Sequence, residues 1–141
     1  MMNYHPAPDA SLVPRTDLDD GQVNRICDVI REHSFAVHRY FGPGFRERVY
    51  ERSLIRRLRG VGLDVVVHPD VMVYDEDGSE LIEETLDLVI ESVVILELKA
   101  KRVVEDRDVA QLLGYLRATA FRHGLLINFG ASKFSIKKYV M

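Results

Sequence analysis

The chain is short of cysteine, of long apolar runs and of net positive charge, and each shortage removes a class of protein. One cysteine, Cys27, rules out an intramolecular disulfide framework. The opening "MMNYHPAPDASLVPRTDLDD" has no charged-then-apolar signal pattern, so a reducing, cytoplasmic setting is expected. No apolar run approaches the ~20 residues a membrane span needs. The longest, "LDLVIESVVILEL", is interrupted by Asp87 and Glu91, and the expectation is a soluble protein without a membrane partner. A net charge of −3 argues against indiscriminate affinity for nucleic acid, which depends on basic surface. Also missing are a Gly-rich phosphate loop, an arguable Ser-His-Asp arrangement and a zinc motif, because His33, His38 and His123 are too scattered and His68 has no ligand-spaced partner.

What is present is enough for one core. With 141 residues and 47% hydrophobic content, residues 19–141 are expected to form a single domain. Residues 1–18 carry Pro6, Pro8 and Pro14 and no periodicity, and are expected to form a flexible arm. Val23, Ile26, Cys27, Ile30, Val37 and Phe41 recur at helical spacing after the N-cap candidates Asp19 and Asp20, which predicts a helix to about Tyr40. "FGPG" stops it, and a second helix is expected from about Phe45 to Arg59. The period then drops to two: "LDVVVHPDVMVY" and "ELIEETLDLVI", separated by "DEDG", predict an antiparallel hairpin. A third strand, a helix in "RDVAQLLGYLRATAF" and the strands "GLLINFG" and "FSIKKYV" complete an α/β sandwich with a central mixed sheet flanked by helices.

The third strand, "SVVILELKAK", raises the functional question. Its apolar run leads straight into Glu97 and Lys99, charges that are costly in a core unless paired or used. Alternation puts both on one face with Val93 and Ile95. In the preceding strand Thr85, Asp87 and Val89 share a face, and a three-residue connection, Glu91 to Val93, sets Asp87 beside Glu97; a two-residue turn would set it beside Leu96. Adjacent carboxylates repel, and a proton, a cation or a salt bridge relieves them. Lys99 can neutralise only one. Asp87, Glu97 and the backbone carbonyl of Leu98 would make half a shell for Mg²⁺ or Mn²⁺, which prefer oxygen ligands, with Lys99 placed to orient a water or offset phosphoryl charge.

The second helix adds a carboxylate. Glu47 falls on its apolar face between Leu54 and Leu58, with Tyr50 near, and the metal site could be its partner. Arg48, Arg52, Arg56 and Arg59 form a separate stripe that can meet phosphates or simply stay solvated. Lys133, Lys137 and Lys138 extend the basic surface or protect a terminal strand edge.

These residues carry a resemblance. "GFRERVYERSL" presents Gly44, Glu47 and Tyr50 as in the GxxExxY family, and "ETLDLVIESVVILELKA", "AQLLGYLR" and "GLLINFG" resemble the rest of that family, from about Val23 to the C-terminus. The family is similar to the PD-(D/E)XK nuclease superfamily. The resemblance implies a restriction-endonuclease-like sandwich with Glu47, Asp87, Glu97 and Lys99 as the site, joined by Gln111 and Tyr115 in a Gln-x-x-x-Tyr pattern. Leu86 stands before Asp87 where the superfamily often has Pro. A literal "PD", Pro69 and Asp70, lies one hairpin earlier, where an edge or turn role for Pro is the simpler reading.

The expectation is therefore a metal-dependent nuclease acting on nucleic acid, DNA in the first instance. Glu47, Asp87, Glu97 and the Leu98 carbonyl hold the ion, Lys99 and Gln111 act beside it, and Arg48, Arg52, Arg56 and Arg59 meet the strand. A homodimer is compatible with this, although no interface is marked. Two alternatives stay open: a docking module for nucleic acid or protein that kept the fold without the chemistry, and a metal-binding protein acting on a small phosphorylated molecule. Gln111 is nearly as readable as a solvated side chain, Tyr50 and Tyr115 as packing residues, and Gly44 as a backbone requirement.

Overall fold

The computed structural model describes residues 12–141, and most of the expected arm, residues 1–11, lies outside them. The chain runs α1 (Asp20–Phe41), α2 (Glu47–Gly60), β1 (Val65–Val67), β2 (Asp70–Tyr74), β3 (Glu80–Thr85), β4 (Leu88–Ile90), β5 (Val94–Lys99), α3 (Asp106–Ala118), β6 (His123–Asn128) and β7 (Ser135–Val140). Asp19 caps α1: its side chain accepts the Gln22 N–H, while the Gln22 side chain accepts the Asp19 N–H, each at 2.8 Å. Ahead of α1, the Arg15 N–H donates to the Ser92 carbonyl at 2.8 Å, and Leu18 packs on the core.

Five strands form a mixed sheet in the order β1-β4-β5-β6-β7, parallel between β5 and β6 and antiparallel elsewhere. Helix α3 makes the crossover that a parallel pair needs. The alternation of β5 divides the core. Val94, Leu96 and Leu98 pack under α1 and α2 with Ile30, Leu54 and Leu58, whereas Ile95 packs under α3 with Val89, Leu112 and Leu116. Leu96 and Leu98 are fully buried, so truncating either to alanine costs about 2–5 kcal/mol.

The β4–β5 register pairs Leu88 with Leu96, Val89 with Ile95 and Ile90 with Val94. This is the alignment expected from a three-residue connection. Glu91 and Ser92 make that turn with φ of 52° and 51°.

The expected long hairpin forms, but in two pieces. β1 pairs with β4 inside the main sheet, while β2 and β3 form a separate two-stranded sheet. The register passes through the break unshifted: the His68 N–H donates to the Asp87 carbonyl and the Leu86 N–H to the Pro69 carbonyl, each at 2.9 Å. The ribbon bends there because Pro69 has no N–H for the ladder and His68 sits at φ 51°. Leu86 turns into the α3 side of the core, and Asp87 is left at the bend.

Candidate active site

The site begins where the sheet loses a strand. β4 starts at Leu88, so beyond Leu96 the edge of β5 has no backbone partner on that side, and the Asp87 side chain takes the place: its Oδ2 accepts the Leu98 N–H at 2.7 Å. Glu97 is 3% exposed, and its Oε1 is buried with no hydrogen-bond partner among the described residues. A buried carboxylate oxygen left unpaired is costly, and in native proteins it calls for a proton or a cation. Lys99 lies 4.0 Å from the other oxygen of Glu97 and donates to Gln111 Oε1 at 2.7 Å. The Gln111 amide donates in turn to the Tyr115 hydroxyl at 3.1 Å. The Gln111 and Tyr115 of the sequence pattern thus hold the Lys99 ammonium in place from α3.

Glu47 arrives from the other helix pair. The link between α1 and α2 turns through Gly42 and Gly44, at φ 65° and 115°, values that favour glycine. The Tyr50 hydroxyl donates to the Gly42 carbonyl at 2.5 Å and accepts the Phe45 N–H at 3.2 Å, and its ring stacks on Phe129 at 4.9 Å. Gly44 therefore permits the turn and Tyr50 clamps it, which fixes the first residue of α2, Glu47. One turn further, Glu51 lies on the same face, 7% exposed, with its Oε1 2.7 Å from His68 Nε2. Carboxylate oxygens of Glu47, Glu51 and Asp87 all lie within 4.8 Å of one another.

Burial, more than crowding, moves the acidities. Burial, then the Asp87 charge, pushes Glu97 up to about 8, with Lys99 opposing. Burial, then Asp87, likewise pushes Glu47 up to about 7. Glu51 is raised by burial against the pull of His68, and Asp87 by burial against the Leu98 N–H and Lys99. Four carboxyl groups thus favour the protonated form more than isolated ones do, chiefly because burial strips them of water and the nearby cations do not fully compensate. An all-oxygen set with one orphaned buried oxygen fits a hard divalent cation.

Glu51 and His68 have no part in the sequence expectation. The four-residue spacing of Glu47 and Glu51 carried a readable signal, since it puts both on one helix face. His68 carried none, because its meeting with Glu51 depends on how α2 packs against the bend. Asp108 was missed as well. It is 5% exposed, bonds Lys101 Nζ at 2.8 Å and lies 4.0 Å from Lys99 Nζ. The Asn128 side chain holds the Lys101 backbone by accepting its N–H and donating to its carbonyl. Gly130 must stay small there, since an added Cβ would come within 2.2 Å of the Lys101 nitrogen.

A cleft of about 520 Å³ meets this cluster at Glu47 and Lys99, with Asp108 and Gln111 also in its wall and Phe45, Arg46, Lys101 and Arg107 around them, while Glu51, Asp87 and Glu97 lie outside its lining. Arg48, Arg52, Arg56 and Arg59 lie on the exposed side of α2 and do not line the cleft, and Arg59 donates to the Val65 carbonyl at 2.9 Å. Asp70 stands apart from the cluster, accepting the Thr85 hydroxyl at 2.6 Å.

A mixed five-stranded sheet with helices on both faces, and acids converging where one strand ends, defines a restriction-endonuclease-like fold. The sequence comparison agrees: residues 24–139 match the family model of the PD-(D/E)XK nuclease superfamily, and the chain belongs to that superfamily. No curated protein and no solved structure matches it. Among the described residues no helix is long and apolar enough to cross a membrane.

Proposed function

We propose that the protein is a metal-dependent nuclease that hydrolyses phosphodiester bonds in nucleic acid, with DNA as the substrate of first choice, through one domain spanning residues 19–141. The observation that carries this reading is the convergence of Glu47, Glu51 and Asp87, with the buried, unpaired Oε1 of Glu97 beside Asp87.

Asp87, Glu97, Glu47 and the Leu98 carbonyl would hold Mg²⁺ or Mn²⁺, with Glu51 close enough to complete the shell. The bound ion would supply Lewis acidity toward a phosphoryl oxygen and a more acidic water. The protein's own groups do the rest. Lys99, fixed by Gln111, holds an ammonium beside the carboxylates, where it orients the attacking water and offsets charge on the phosphoryl group. Glu47, held toward its protonated form by burial and the Asp87 charge while the site is empty, would give up its proton as the ion binds. Arg46 and Lys101 in the cleft wall would pair with the nearest phosphates, and the exposed arginines of α2, outside the cleft, with phosphates further along the strand.

The test is incubation of the wild type and Lys99→Ala with end-labelled DNA and Mg²⁺ or Mn²⁺. Cleavage that drops at least about 100-fold in the variant, with its melting temperature unchanged, supports the reading. A folded wild type that binds no divalent ion at millimolar concentration contradicts it.

A further inference from the structure

Tyr40, Phe41 and Phe45 make a row of aromatic side chains for which the hydrolytic chemistry has no use. Tyr40 is 78% exposed and Phe45 50% exposed. The rings meet edge to face, with centroids 4.9 Å apart for Tyr40 and Phe41 and 5.6 Å for Phe41 and Phe45. Phe41 packs partly into the core, which leaves Tyr40 and Phe45 as the exposed rings, and an exposed ring at the mouth of a charged cleft marks a contact surface. Phe45 stands at that mouth: it lines the cleft and directly precedes Arg46 and Glu47.

Its position is also fixed. The Phe45 N–H is held by the Tyr50 hydroxyl, Tyr50 is stacked on Phe129, and the turn rests on Gly42 and Gly44. A ring presented by a clamped loop loses little freedom when a ligand lands on it. Beside it lies Arg46, a cation that suits a phosphate chain, and the same cleft holds Lys101 and Arg107, which pair with Asp108 and Glu105. An exposed aromatic ring next to such cations is the combination that binds nucleic acid strands, because bases stack on the ring while phosphates follow the charge.

We propose that Phe45 is a base-stacking platform, and that the cleft takes a nucleic acid strand with an unpaired base beside the scissile phosphate. The inference rests on the nuclease reading and specifies its substrate. Inside a duplex both faces of a base are already covered by its neighbours, so Phe45 gains a partner only from a single strand, a frayed end or a flap.

The test uses the full chain with Ca²⁺ in place of Mg²⁺ and a single-stranded oligonucleotide carrying 2-aminopurine, whose fluorescence falls on stacking. Titrations compare wild type, Phe45→Leu and Phe45→Tyr, with melting curves and light scattering on each. The expected result is quenching by wild type and Phe45→Tyr, its loss in Phe45→Leu, and single-strand affinity roughly 5- to 100-fold weaker in Phe45→Leu. Affinity for a blunt duplex should stay within about 2-fold. Binding and quenching that are the same in all three proteins would overturn the stacking inference and leave the nuclease reading standing. A change in self-association without a change in quenching would also overturn it, and would make the aromatic row a protein contact. A folded wild type that neither binds nor cleaves any DNA would remove the nuclease reading, and the inference with it.

Discussion

Asp70 and Asp87 sit on opposite strands of one ribbon, on either side of its bend, and their surroundings differ in every respect that matters for chemistry. Asp70 follows a proline, is exposed, and is satisfied by the Thr85 hydroxyl. Asp87 follows a leucine, fills a gap in the ladder by accepting the Leu98 N–H, and shares its surroundings with Glu47, Glu51 and Glu97. The literal Pro-Asp pair is thus the geometrically idle one. What makes an aspartate a site residue is convergence and burial, which the neighbouring residue type does not supply.

The sharpest way to break the comparison is to neutralise each aspartate. Asp87→Asn is expected to lower DNA cleavage in Mg²⁺ by about 100- to 1,000-fold, whereas Asp70→Asn should stay within a few-fold of wild type in the same gel assay. Equal losses would erase the distinction. Next in size is the pair behind the acids. His68→Ala frees Glu51 and should weaken Mn²⁺ binding roughly 10-fold in calorimetry, while Thr85→Ala, the matching change at Asp70, should leave it untouched.

A third prediction concerns pH. Glu47 and Glu97 are raised on folding to about 7 and about 8. A carboxyl raised on folding binds its proton more tightly in the folded state, so that contribution is present below its ordinary value and is lost as pH rises through the folded value. The metal-free protein should therefore lose stability between about pH 4.5 and 8. Glu97, the more buried of the two, should account for most of the loss. Mg²⁺ should stabilise more at pH 8 than at pH 5, and thermal melts across the range check both signs. Asp70→Asn should not change the profile, whereas Glu97→Gln should flatten it. The smallest effect expected is at the clamp that delivers Glu47: Tyr50→Phe loses the bond to Gly42 and should cost about 1 kcal/mol in chemical denaturation.

Much of this was legible in the sequence. The periods of α1 and α2 and the switch to alternation gave the layers, and the length of the Glu91–Val93 connection decided the β4–β5 register. From that register Asp87 and Glu97 follow as neighbours. The bend at His68 and Pro69 was not legible, because a proline within alternating residues says that a ladder bond is lost but not that the ribbon leaves the sheet. Glu51 was legible as a face-mate of Glu47, but its burial, like that of Asp108, was hidden for another reason. A buried acid looks like a surface acid in sequence until its partner is known: that of Glu51, His68, lies across a tertiary contact, and that of Asp108, Lys101, lies in the loop before α3.

The most direct measurement is calorimetric titration of Mg²⁺ and Mn²⁺ into the wild type and an Asp87→Asn/Glu97→Gln double variant, with labelled single-stranded, duplex and branched DNA then added to the metal-loaded wild type. Metal binding that vanishes in a folded double variant, together with cleavage by the wild type, is the result predicted. A wild type that melts normally yet takes up no metal at millimolar concentration would contradict the account, and would leave Glu97 and Lys99 as a paired remnant on a protein that binds without cutting.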